Sequence, residues 1–213
     1  MSKLAVIVAA FGCMLNAATI NIVGTGKTVA EGSIDPNWSI TSPSGSAFVT
    51  VTDGFPIAAG LWIANDANSK WIEPAGATVD THPTNSPYTY RTTFSLAGLI
   101  ASTASLTFRA AGDNEITAVR LNGNTVGFTY AAFNAFSSPF LISTAAFFNS
   151  GTNSLEFDVL NTTGDPNPTG LRVEISGTAD PFSDPPPPST PEPATVSLIA
   201  AGLGALYLKR RGR

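Results

Sequence analysis

The chain reads as an all-β protein, a two-sheet antiparallel sandwich set between two apolar ends. Three observations predict it. Apolar and polar residues alternate with period two in stretch after stretch, the mark of strands with one buried and one wet face. Gly, Pro, Asn, Asp and Ser punctuate those stretches at short intervals, as turns do. No stretch of any length carries the 3.6-residue period of an amphipathic helix.

The elements follow in chain order. Residues 20–23, 38–40 and 47–51 read as short strands, with a turn over Pro43, Ser44, Gly45 and Ser46. Residues 60–64 and 70–72 are weaker strand candidates, each with a tryptophan. Residues 88–96 alternate most clearly: Tyr88, Tyr90, Thr92, Phe94 and Leu96 share one face, and Thr89, Arg91, Thr93 and Ser95 the other. Residues 105–111 repeat the pattern with Leu106 and Phe108 inward. Residues 115–121 place Thr117, Val119 and Leu121 on one side. Asn122-Gly123 then predicts a tight hairpin, because both residues tolerate positive φ, and residues 124–128 return. Residues 131–148 are irregular, with a helical turn over the sheet ends and a short strand at 140–142. After a turn at 151–153, Leu155, Phe157 and Val159 alternate with Glu156 and Asp158. A loop over 161–170 precedes Leu171, Val173 and Ile175, which alternate with Arg172 and Glu174.

Phenylalanines and branched residues on the inward faces drive folding, at about 25 cal/mol per Å2 of apolar surface removed from water. The single cysteine, Cys13, lies in the N-terminal apolar segment, so the domain over residues 19–179 has no disulfide and no thiolate chemistry. Charged residues are only 12% of the chain, and acids outnumber bases between the two ends. No basic patch appears, which argues against a nucleic-acid partner.

Both ends read as targeting signals. Residues 1–18 fit a secretory signal peptide: Lys3, an apolar stretch over 4–15, then the small-residue exit Asn16-Ala17-Ala18, with cleavage expected after Ala18. A lipidated Cys13 fits less well, because bulky Phe11 sits where small residues are usual. Residues 180–190 include four consecutive prolines, Pro185 to Pro188, and read as a semi-rigid stalk. Next come Pro191, Glu192 and Pro193, then the apolar run 194–208, then Lys209, Arg210, Arg211, Gly212 and Arg213. As one short hydrophobic helix that run spans about 22 Å, against a hydrocarbon core of about 30 Å. Its basic end is expected to stay cytoplasmic and the body outside.

In order and spacing, residues 191–213 resemble the PEP-CTERM sorting signal of Gram-negative bacteria. The resemblance implies an exported protein processed by an exosortase near Pro191-Glu192-Pro193 and handled by the secretion machinery. It also implies transient anchoring in the inner membrane and association with exopolysaccharide production. Further back, Asn122-Gly123, residues 151–155, Val159-Leu160-Asn161 and residues 170–175 resemble the galactose-binding-like jelly roll. Trp71-Ile72 and residues 88–94 stand where that family has its tryptophan loop and first long core strand. This second resemblance spans roughly residues 35–178 and implies a jelly-roll sandwich that often binds carbohydrate; fold alone does not fix function.

The chemistry legible in the residues is sparse. The only histidine, His82, sits in a loop and no serine occupies a nucleophile elbow, so a Ser-His-Asp triad lacks support. Glu156 and Asp158 share a strand face, which permits a glycosidase pair but equally describes a solvated sheet. Asp113, Asn114 and Glu115 form an oxygen-rich segment between strands, suited to calcium or to a plain turn. Trp62 and Trp71 offer faces on which a sugar ring could stack, with Asn65, Asp66 and Arg91 as hydrogen-bonding partners. Tyr88 and Tyr90 fall on the core face, and Trp71 can equally plug the sandwich end, which leaves Trp62 as the first residue of such a site. The expected function is that of an exported, non-catalytic adhesive or structural protein of the cell surface or extracellular matrix, with weak carbohydrate binding. A secreted carbohydrate-active hydrolase using acidic residues, and a matrix component with no ligand site, are the alternatives.

Overall fold

A computed structural model describes residues 16–74, 82–162, 164 and 166–182. The signal-peptide residues up to 15 with Cys13, the stalk beyond Phe182, the Pro191–Pro193 motif and the basic Lys209, Arg210, Arg211 and Arg213 lie outside the described residues. Among the described residues no helix is long and apolar enough to cross a membrane.

The described residues form eleven strands: β1 (Ala18–Thr19), β2 (Ile34–Ser42), β3 (Ser44–Val49), β4 (Ile72–Glu73), β5 (Ser86–Ser95), β6 (Ser105–Asp113), β7 (Glu115–Leu121), β8 (Asn124–Thr125), β9 (Phe140–Ile142), β10 (Thr152–Asn161) and β11 (Gly170–Ala179). They join one antiparallel ladder in the order β8-β7-β10-β5-β2-β3-β4-β11-β6-β9, with β1 on β11. β6 and β10 stand far apart in that order, yet the rings of Phe108 and Phe157 meet edge to face at 5.2 Å. The ladder therefore curls into two facing layers, and the expected sandwich is one continuous sheet folded on itself.

The main core lies between those layers. Tyr90, Phe94 and Leu96 from one side and Leu106 and Phe108 from the other are buried in it, with Trp38, Leu155, Phe157 and Val159. Period-two alternation is cleanest on β5 and β10, which pair without a break from Thr152↔Ser95 to Asn161↔Ser86. The Asn122-Gly123 hairpin forms as expected, with φ of 51° and 81°, and Leu121 pairs with Asn124 across it.

Several elements differ from the sequence reading. Residues 20–23 form no strand; the first one is β1, where Ala18 pairs with Ala179. The β2–β3 turn lies over Ser42-Pro43, because Thr41 already faces Ser44. Residues 60–64 belong to a loop, and 70–72 contribute only the start of β4. On β7 the expected inward Thr117 is exposed and Ile116 is buried. A bulge at Asp158/Val159 causes the exchange: it slips the pairing so that Val159 faces Ile116 and Thr117 is left over.

Candidate functional site

The outer face of β10 and its neighbours carries a ladder of charges. Arg91 Nε donates to Glu156 Oε1 at 2.8 Å, and Arg120 Nε donates to Glu156 Oε2 at 3.2 Å. Arg120 also bonds Asp158, which raises the affinity of its guanidinium for the proton, and Thr89 Oγ1 donates to Asp158 Oδ1 at 2.8 Å. The paired registers Glu156↔Arg91 and Glu156↔Arg120 bring these side chains together. Glu156 is already held by two guanidinium groups, and Asp158 by one guanidinium and a hydroxyl, on an outer sheet face. That arrangement suits a structural ladder and differs from the separated acid and base of a glycosidase.

At one end of the sandwich the outer face of β6 and β11 is covered. The loop that follows β3 lies over it and builds a satellite core from Ile57, Trp62, Trp71 and Ala111, with Ile63, Phe133 and Phe136 against it. Here the expected outward Arg172 is buried, because this loop replaces solvent on its side of β11. Its guanidinium donates to Ser69 Oγ at 2.8 Å and to the Ala64 carbonyl, and pairs with Asp66 Oδ2 at 2.9 Å. Burial lowers its affinity for the proton, against the pull of Asp66. Burial also pushes the Asp66 carboxyl upward, but the amides of Asn68 and Ser69 and the Arg172 guanidinium outweigh it and hold it below its usual range. Asn65 pins the same loop: its Oδ1 accepts the Trp71 amide at 2.8 Å and its Nδ2 donates to the Thr50 carbonyl at 2.9 Å.

Trp62 and Trp71 stack at 4.2 Å between ring centroids. Trp71 is sealed in, with its indole nitrogen donating to the Ile63 carbonyl at 2.8 Å. The benzo edge of Trp62 rests over Gly170, where an added Cβ would lie 2.7 Å from Trp62 Cη2. Trp62 is only 3% exposed, yet it lines a pocket of about 180 Å3 with Phe55, Leu61, Phe133 and Asp113. Phe55 and Leu61, each 45% exposed, form its lip.

Asp113 ends β6 in that wall and is 6% exposed. Its Oδ2 accepts the Trp62 indole N–H at 2.8 Å, and its Oδ1 is buried without a hydrogen-bond partner. Burial raises its pKa to about 6, opposed only by the indole bond. Its influence reaches inward: burial first, then Glu73, Tyr88 and Asp113, push the Tyr90 phenol well up. A small pocket with aromatic walls and one buried acceptor can hold an apolar ring face and receive one donor.

The structure thus redistributes the residues singled out in the sequence. Trp62 belongs to the pocket but buries its ring; Trp71 lies behind it as the plug of the sandwich end and offers no open platform. Asn65 and Asp66 hold the covering loop, and Arg91 stands in the charge ladder with Glu156. The expected calcium set does not converge: Asp113 turns to Trp62, and Asn114 Oδ1 accepts the Thr162 amide at 2.9 Å. Among the described residues no three His, Cys, Asp or Glu side chains gather as a metal would require. His82, read from the sequence as a loop residue, is buried edge-on against Tyr88 at 5.7 Å. Phe55 and Leu61 reach the pocket on the loop that follows β3, and Phe133 on the segment between β8 and β9, a meeting that the alternation along the sequence does not announce.

No family model matches the chain, and no curated protein matches it. The solved structures similar in part include two carbohydrate-binding modules. One is the CBM36-1 domain of a multidomain xylanase from the hindgut metagenome of Trinervitermes trinervoides, 16% identical, covering 51% of this chain and 81% of that one with a TM-score of 0.27. The other is the family 11 carbohydrate-binding module from Clostridium thermocellum in complex with a β-1,3-1,4-mixed-linked tetrasaccharide. It is 11% identical and covers 77% of this chain and 100% of that one, with a TM-score of 0.35. The fold described above rests on this chain's own strand ladder.

Proposed function

We propose that this chain is an exported, non-catalytic surface or matrix protein that holds a glycan in the Trp62–Asp113 pocket. The pocket itself carries the reading: aromatic and aliphatic walls meet a single buried acceptor without a partner. Pyranose rings present C–H faces to aromatics and hydroxyls to acceptors, which is the complement of such a wall. Its small volume, below the about 300–1,000 Å3 of ordinary ligand clefts, suits one sugar unit rather than a long segment. The work is adhesive or structural, and exopolysaccharide is the natural partner for a protein with the tail described above.

The test uses the full chain in detergent and the exopolysaccharide of the producing strain. Binding is expected for the wild type and weakened about tenfold in Phe55→Ala, an exposed lip residue whose loss spares the core. No binding by the wild type favours a matrix component with no ligand site. Delivery is tested separately. In the native host, Glu192→Ala is expected to leave an unprocessed, membrane-held precursor, and unchanged size and location would remove the sorting reading.

A further inference from the structure

Resting on the glycan reading above, we infer that the sugar this pocket takes carries a free amine. It is a hexosamine whose ammonium group pairs with the Asp113 carboxylate while its ring lies among Phe55, Leu61, Trp62 and Phe133. Among the described residues lining it, Asp113 is the only ionisable one. None of the ion pairs among the described residues includes Asp113, and the side-chain donor to its carboxylate is the neutral Trp62 indole.

A buried carboxylate with an open oxygen and no cation beside it is costly when ionised. A neutral hydroxyl relieves only part of that cost. An ammonium supplies both the donor and the opposite charge, and charge-assisted hydrogen bonds are the stronger class. The rings beside it add attraction for a cation over an aromatic face. The chain already uses that contact next door, where the guanidinium carbons of Arg109 and Arg172 lie 4.5 and 4.9 Å from the Phe136 centroid. Those arginines face Phe136 and are paired with Glu174 and Asp66, so they do not serve Asp113.

The experiment compares disaccharides of glucosamine, N-acetylglucosamine and glucose for binding to the full chain at pH 7.5, by calorimetry or ligand-observed NMR. Glucosamine is expected to bind about tenfold tighter than either neutral sugar, the worth of one charge-assisted bond. That preference is expected to vanish in Asp113→Asn, which keeps an acceptor for the Trp62 indole, with the fold checked by near-ultraviolet circular dichroism. If all three bind alike in a Phe55-dependent manner, the amine inference is overturned and the glycan reading stands. If Asp113→Asn keeps the preference, the acidic surface at large attracts the amine and the inference is overturned. If none of the three binds and the strain's own polysaccharide does not bind either, both readings are lost.

Discussion

At the scale of the residue, Asp113 sets the behaviour of the pocket, because its carboxyl is buried while the group opposite it is missing. A pKa raised to about 6 from the ordinary 3.8 of an aspartate means that the folded chain keeps a proton which the unfolded chain gives up. Stability from this group is therefore greatest below about pH 4 and falls as pH rises through the window to 6. The difference of 6 and 3.8, about two pH units at about 1.4 kcal/mol each, puts the full penalty near 3 kcal/mol at neutral pH. Asp113→Asn keeps the size and the acceptor and cannot ionise. It is expected to exceed the wild type in stability by up to about 3 kcal/mol at pH 7.5, with the two curves meeting near pH 4. Urea melts at four pH values read this directly; a gap that does not change with pH would place the carboxyl in water. The same residue shows a limit of sequence. An Asp-Asn pair between two strands reads as a turn or a calcium loop, and only the covering loop, fifty residues away in the chain, makes it a buried acid.

At the scale of the element, what was legible followed the number of environments that each strand meets. β5 and β10 have one face in the main core and one face outward, so alternation named their buried residues correctly. β7 broke the rule at a single bulge, which sequence periodicity cannot count. β11 broke it at Arg172, because a second, local core covers the face that alternation assigns to water. That cover makes two substitutions informative. Arg172→Ala leaves the Ser69 hydroxyl and the Ala64 carbonyl without their buried donor and is expected to cost on the order of 3 kcal/mol, seen as a lower urea midpoint. Gly170→Ala drives a methyl into the Trp62 ring and against the Ile72 carbonyl at 3.1 Å. It is expected to cost about 1–3 kcal/mol and to shift Trp62 fluorescence, since overpacking must move the ring that closes the pocket. An unshifted spectrum with unchanged stability would mean that Trp62 does not rest on β11. The Asn122-Gly123 hairpin needed no such context: its backbone demand is local, and the sequence stated it outright.

At the scale of the whole molecule, two layers must hold together with no disulfide among the described residues, so the rings that bridge them carry the fold. Phe157 is fully buried and touches Trp38 in its own layer at 5.9 Å and Phe108 in the opposite one at 5.2 Å. Glu156, its neighbour on the same strand, points the other way into the charge ladder. Adjacent positions are thus expected to give opposite results. Phe157→Asp removes a bridging ring, worth about 3–5 kcal/mol, and adds a buried charge with no partner. Together these approach the whole of an ordinary domain's about 5–15 kcal/mol, so soluble, cooperatively folding protein is not expected. Glu156→Gln removes charge from partly exposed ion pairs and is expected to cost about 1 kcal/mol or less, with that cost shrinking further in 1 M salt. Soluble yield and urea melts of the two variants side by side make the comparison. A cooperative melt for Phe157→Asp would mean that the layers do not meet through this ring. A large loss for Glu156→Gln would mean that the outer ladder, rather than the core, ties the strands.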